Sequence, residues 1–289
     1  MNTLEYVLDP ALRGVFLPAF VAGLGLVVCT ALLSPLVVLR RLAFVGQGVS
    51  HAALGGIGLA VLAGLSFSGT GLGSVGFYGV VLAFCVGASL LIARMSARRE
   101  GGRSDEADTS IGIVLVAAMA VGVIALQLAH ARGVRNLPAW ESVLFGSIVS
   151  VGWVDAAVAW GLAVVVAGVL WWGRRSVVFW AFDEPAAAAF GVRGGLVRDV
   201  LFVLLAVTIV VAMKLVGVVL ATALLVAPAA AALRLSARLG PVVVLSAAVS
   251  FVSLVGGLVL SMEMDLPPGA CVVAALVVAY GVARGVGRV

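Results

Sequence analysis

The sequence predicts an all-α fold, a polytopic helical membrane protein with eight or nine transmembrane helices, and three observations carry that prediction. Of the 289 residues, 63% are hydrophobic and 11% charged, against about 25% charged in an ordinary soluble domain. Mean hydropathy is +1.25, and apolar runs of the ~20 residues a helix needs to cross a bilayer recur from end to end. Arginines cluster at the ends of these runs, where cytoplasmic loops collect positive charge. No stretch is long and polar enough to build a separate soluble domain, so residues 1–289 read as a single integral membrane domain. The net charge of +5 comes from the same flanking arginines and speaks for a lipid surface, not for nucleic acid.

Taken in order, the first span covers residues 15–39 and ends at Arg40 and Arg41, which places the N-terminus outside and this end in the cytoplasm. The leading stretch MNTLEYVLDPALRG has no basic region, so this span is expected to stay in the mature chain and not to be cleaved as a signal. The second span is the helix around His51, running outward to a Gly/Ser linker at residues 66–74. The third, residues 76–92, returns to Arg94, Arg98, Arg99 and Arg103, the densest basic cluster in the chain. A polar cytoplasmic loop is expected over residues 94–108. The fourth span, residues 109–128, ends at His130, with Arg132 and Arg135 mildly against the charge rule. Residues 137–150 are too short to span and hold Glu141, which suits an interfacial or re-entrant helix. The fifth span, residues 151–172, comes back to Arg174 and Arg175.

Apolar sequence over residues 196–233 is too long for one pass and is interrupted at Met213-Lys214-Leu215-Val216-Gly217. It is expected to form spans six and seven, with an outer turn between them and a bend at Pro228, which lacks a backbone donor. Span eight, residues 241–260, ends at the acidic outer loop Met262-Glu263-Met264-Asp265. Span nine, residues 268–282, ends at Arg284 and Arg288, giving a cytoplasmic C-terminus. The count is eight if residues 199–235 are not split.

Between spans five and six lies Phe182-Asp183-Glu184-Pro185-Ala186-Ala187-Ala188-Ala189-Phe190-Gly191-Val192. Acidic residues and a proline open it, alanines fill it and a glycine closes it, the pattern of a short isolated helix. It reads either as a surface connector or as a docking helix for a cytoplasmic partner.

Catalysis has little to work with. Lys214, the one lysine, is followed by leucine, so no Walker A motif exists, and ATP-driven transport would need its ATPase from another chain. There is no HExxH and no GxSxG, and two histidines are too few for a three-histidine zinc site. Cys29, Cys85 and Cys271 stand alone in apolar runs and read as small buried hydrophobes. The chain is therefore expected not to be an enzyme and to hold no permanent cofactor.

What remains is His51, in an interval from residue 42 to 93 that contains no Asp, Glu, Lys or Arg. On a helix, Gln47 and His51 project from one face, with Gly55 one turn on. The neighbouring row Gly48, Ala52, Gly56 and Ala60 allows another helix to approach closely. Ionisable side chains inside a membrane mark pathways, and Gln47 with His51 offers an amide oxygen and an imidazole nitrogen. Two copies about a two-fold axis would supply four donors to one divalent ion. The alternative is a buried histidine bonded to a backbone carbonyl.

Five motifs in order, FVGQGVSHAALGG from Phe44, SIGIVLVAAMAVGV from Ser110, VLFGSI from Val143, FDEPAAAAFGV from Phe182 and VGVVLATALLVAPAAAALRL from Val216, resemble the ABC-3 family of permeases, which import zinc, manganese or iron. The resemblance covers nearly the whole chain. It implies a homodimer in a bacterial inner membrane, two cytoplasmic ATPase subunits and an extracellular metal-binding protein. It also implies that Asp183, Glu184, Pro185, Phe190 and Gly191 belong to a helix that couples to the ATPase. The family pattern has an aspartate where this chain has Gln47, and replacing a carboxylate by an amide leaves a divalent ion less stabilised. Imidazole suits zinc, whereas manganese prefers carboxylate and water oxygens, so zinc is the first expected cargo and manganese or iron the next. Glu141, Asp155, Glu263 and Asp265 are the carboxylates that could restore the charge from the outer side, and Glu263 with Asp265 could form an outer access funnel for the ion. Rival readings are a siderophore- or cobalamin-type import permease, an ATP-independent secondary metal transporter and a non-transporting scaffold.

Overall fold

The structure is a computed structural model and describes residues 10–65, 72–97, 104–134 and 151–287. Its helices are α1 (Pro10–Leu39), α2 (Ala43–Leu62), α3 (Leu72–Ala97), α4 (Ser104–Ala131), α5 (Trp153–Trp172), α6 (Arg174–Phe182), α7 (Glu184–Ala189), α8 (Gly194–Leu235), α9 (Leu239–Met264) and α10 (Pro268–Val286). Among the described residues, eight of these are long and apolar enough to cross a membrane. The linker at 66–71, Arg98, Arg99 and Arg103, the 137–150 segment with Glu141, and Arg288 lie outside the described residues.

Helix α8 is 42 residues long, about 63 Å at 1.5 Å per residue, roughly twice the hydrocarbon core. Its backbone leaves helical geometry at Gly217, with φ 82° and ψ 165°. Only glycine takes up such a conformation freely. The break falls inside the interruption expected at residues 213–217, and each arm, about 34 Å and 27 Å long, is sufficient for a pass of its own. The second arm continues helically through Pro228.

The chain folds into two compact units interleaved in sequence. One comprises residues 1–43, 141–182 and 211–289, and α1 is its central element, packed against α5 and α9, with α9 also packed against α10. Small residues set these distances. A Cβ on Gly25 would stand 3.0 Å from the backbone of Ala159, and Trp160 of α5 donates its Nε1–H to the carbonyl of Val21 at 3.0 Å. Leu215, Val216 and Leu220 line a cavity with Phe16 and Phe20 of α1, Leu258 of α9 and Pro268 of α10, whereas Arg234 lies against Gly287. The second arm of α8 therefore crosses this unit from the end where α10 starts to the end where it finishes.

The other unit comprises residues 44–140 and 183–210. Helix α2 is its most buried span, and α3 packs against α4. The expected small row holds: Gly48, Ala52, Gly56 and Ala60 are all buried. A Cβ on Gly56 would stand 2.8 Å from Val81 Cα of α3, and one on Gly58 would stand 2.5 Å from the Gly122 carbonyl oxygen of α4. Ser89 satisfies its hydroxyl by donating to the carbonyl of Phe202 at 2.8 Å.

Two expectations change. The polar loop over 94–108 is shorter, because α3 runs on to Ala97 and α4 begins at Ser104. Helix α6 is an addition: nine residues with Trp180 and Ala181 buried are too short and too polar to register as a span. The Arg40 guanidinium lies 4.0 Å over the Trp180 ring, tying the end of α1 to α6. The three cysteines are free and buried, as expected of small hydrophobes.

Candidate functional site

Gln47 and His51 lie in α2, a helix without a charged residue. Spacing of four places them one turn apart on one face, and Gln47 Nε2 stands 2.6 Å from His51 Nε2. Gln47 is exposed and His51 half-buried. With the Gln47 amide donating, His51 Nε2 accepts, and the ring proton resides on Nδ1. That atom is buried and has no hydrogen-bond partner among the described residues. Among the described residues, then, His51 has no bond to a backbone carbonyl. Half a turn of the Gln47 amide would exchange its nitrogen for Oε1, and an oxygen and a nitrogen lone pair would then face one point.

The face does not continue as expected to Gly55. Gly55 is buried, and a Cβ there would stand 2.5 Å from Phe84 and 2.8 Å from the Ala118 carbonyl. One turn past His51 the helix is committed to packing against α3 and α4, so the polar face is confined to Gln47 and His51. Among the described residues no group of three or more His, Cys, Asp or Glu is gathered in a way that could hold a metal ion.

Of the carboxylates considered as replacements for the missing charge, Asp155 is already engaged. Its Oδ1 receives the Lys214 ammonium at 2.5 Å, and its Oδ2 accepts the Gly152 backbone N–H at 3.0 Å. Sequence reasoning treated the two residues separately, because 59 positions divide them. The signal was there in composition: the one lysine and a lone aspartate, each in an apolar run, needed compensation. Glu263 and Asp265 are exposed at the end of α9. Asp265 caps that helix in the left-handed conformation at φ 53°, its N–H donating to Ser261.

The short helix forms as its sequence specifies. Asp183 is the N-cap, its Oδ1 accepting the Ala186 N–H at 2.9 Å, with Pro185 in the first turn. Ala187 is its buried anchor. Gly191, at φ 82°, ends it, with the Gly191 N–H donating to Ala188 and the Val192 N–H to Ala187, both at 3.0 Å. Phe190 is 80% exposed at its end.

This chain resembles known proteins over almost its full length. It is 28% identical to the manganese transport system membrane protein MntC of Halalkalibacterium halodurans, over 94% of this chain and 88% of that one. It is 27% identical to the high-affinity zinc uptake system membrane protein ZnuB of Haemophilus influenzae, over 90% and 92%. Its fold matches a solved structure of PsaBC from Streptococcus pneumoniae in complex with Fab, with a TM-score of 0.78 at 23% identity, over 98% of this chain and 94% of that one. The model of the ABC 3 transport family matches residues 14–285, and with that extent of agreement the chain belongs to the ABC 3 transport family.

Proposed function

We propose that this protein is the membrane permease subunit of an ATP-driven importer of divalent transition metal ions, with zinc the first cargo and manganese or iron the next. The observation that carries the proposal is the Gln47–His51 pair: two ligand-type side chains, 2.6 Å apart, at the exposed edge of a helix with no charge of its own. Two donors from one chain fall short of the four in a closed zinc site. A homodimer that brings two such pairs together would complete the set, and it would hold the ion loosely enough to release it.

In this reading one membrane domain, residues 1–289, lies in a bacterial inner membrane with its N-terminus outside and C-terminus in the cytoplasm. Asp183, Glu184, Pro185, Phe190 and Gly191 form the surface that meets one of two ATPase subunits, an extracellular metal-binding protein delivers the ion, and Glu263 with Asp265 is either an outer entry funnel for it or an ordinary solvated turn. The names of relatives support a metal cargo, since they describe manganese and zinc systems. Zinc is favoured over manganese here by the imidazole and the neutral amide.

The test is uptake of labelled zinc and manganese into cells carrying the permease, its ATPase and its binding protein. His51→Ala is expected to abolish uptake while assembly persists, and Gln47→Asp to raise manganese uptake relative to zinc. Manganese preferred by the unaltered protein would overturn the zinc assignment. Charge reversal at Asp183 and Glu184 should weaken ATPase pull-down without unfolding the permease, and an unchanged pull-down would overturn the docking role of α7.

A further inference from the structure

An apolar groove runs along the unit built on α1, lined by Pro35 and Leu36 of α1, Ala167 and Trp171 of α5, Val178 of α6 and Val243 of α9. It encloses about 270 Å³. One charged residue, Arg174, is part of the lining, and its guanidinium lies 4.6 Å over the Trp171 ring. A guanidinium stacked on an aromatic ring keeps its planar fork, which matches a phosphate, and this one belongs to the groove's lining. Exposed Arg175 adjoins it in sequence, and exposed Arg238 directly precedes Leu239 of the lining.

Three further features place this edge at a membrane–water boundary. Trp171 and Trp172 are 72% and 94% exposed at the end of a membrane-length helix, the position at which tryptophans form interfacial belts. The chain then turns into α6, a short helix that begins with two arginines and buries Trp180, as an interfacial helix does. The groove itself is hydrocarbon-like, with its positive charge at the head-group end.

We propose that this groove is a binding site for an anionic phospholipid, an acyl chain lying against Pro35, Ala167 and Val178 and the phosphate held by Arg174 with Arg238 nearby. A zwitterionic lipid would fill the groove equally well but would meet the arginines with a compensated head group, so selectivity for net negative charge is the signature. A bound lipid would add to the direct packing that already joins α1 to α5, α6 and α9.

The experiment uses the full chain reconstituted into bilayers of equal phosphatidylglycerol and phosphatidylcholine, released into detergent and weighed by native mass spectrometry. Wild type is expected to retain one phosphatidylglycerol per chain, at least fivefold over phosphatidylcholine. Arg174→Gln should bring that ratio close to one, and Val178→Trp should lower retention of both lipids. Because the tryptophan variant can fail to fold, a spin label at Val178→Cys supplies a second readout, with stronger broadening expected from acyl-labelled phosphatidylglycerol than from phosphatidylcholine. Equal retention of the two lipids by wild type, an unchanged preference in Arg174→Gln, or an adduct of inorganic phosphate mass alone would overturn the proposal. So would a disulfide between Val178→Cys residues of two copies that excludes lipid, since a second copy would then occupy the groove.

Discussion

Gln47 with His51 and Asp155 with Lys214 are both polar pairs set in apolar helices, and they meet the cost of that setting in different ways. Asp155 and Lys214 come from α5 and α8, neutralise each other at 2.5 Å, and Asp155 takes a backbone N–H as well. Their side chains are 12% and 35% exposed respectively. Gln47 and His51 come from one helix, bond only to each other in the described structure, and leave Nδ1 of the imidazole buried without a partner. A satisfied pair of opposite charge has nothing left to offer a divalent cation. A neutral pair with a spare lone pair and an exposed edge does. The difference separates an ion pair three residues before the break of α8 at Gly217 from the pair that the proposed function takes as a transient ligand.

The sharpest way to break this comparison is to delete one member of each pair and follow transport. His51→Ala should lower metal uptake tenfold or more, whereas Asp155→Asn combined with Lys214→Met should retain most of it at equal protein level. Uptake lost equally in both would mean that the ion pair, too, belongs to the ion path. Next in size is the support beneath the His51 helix. A Cβ on Gly122 would stand 2.6 Å from the Leu54 carbonyl oxygen, and backbone cannot yield as a side chain can. Gly122→Leu is therefore expected to destabilise the protein by about 3 kcal/mol, the upper end for overpacking, seen as a lower thermal midpoint in detergent. No shift would show that α2 and α4 can separate freely.

Removing Asp155 alone should cost less, about 1–2 kcal/mol, because Lys214 is a third exposed and solvent reaches its stranded charge. Restoring stability by adding Lys214→Met to Asp155→Ala would identify the stranded ammonium as the cause; a double variant no more stable than the single would point to the lost Gly152 contact. The smallest effect is at α7. Asp183→Ala should cost about 1 kcal/mol through the lost cap, and Asp183→Asn almost nothing, since asparagine caps as well. Equal losses in thermal midpoint would show that charge, not capping, holds that helix.

Much of this architecture was legible because hydrophobic run length and arginine position are local signals. The spans at α1, α2 and α5, the break near Gly217, the small row of α2 and the boundaries of α7 all follow from residues within a few turns of one another. Helix α6 was missed because nine residues with two arginines fall below any span threshold. The extension of α3 and α4 beyond the hydrocarbon was missed because hydropathy marks where lipid ends, not where hydrogen bonding does.

What the sequence determined by itself is therefore the class of the protein, its run of membrane-length helices and the helical spacing that puts Gln47 beside His51. Tertiary structure decided which polar residues were already spent. The pairing of Asp155 with Lys214 depends on two helices meeting 59 residues apart, and the burial of Gly55 depends on α3 and α4 covering the turn after His51. Both are long-range contacts, set by packing between helices whose own sequences are nearly uniform in hydrophobicity. Local pattern fixes where a helix lies along the chain; only neighbours decide which of its faces stays open.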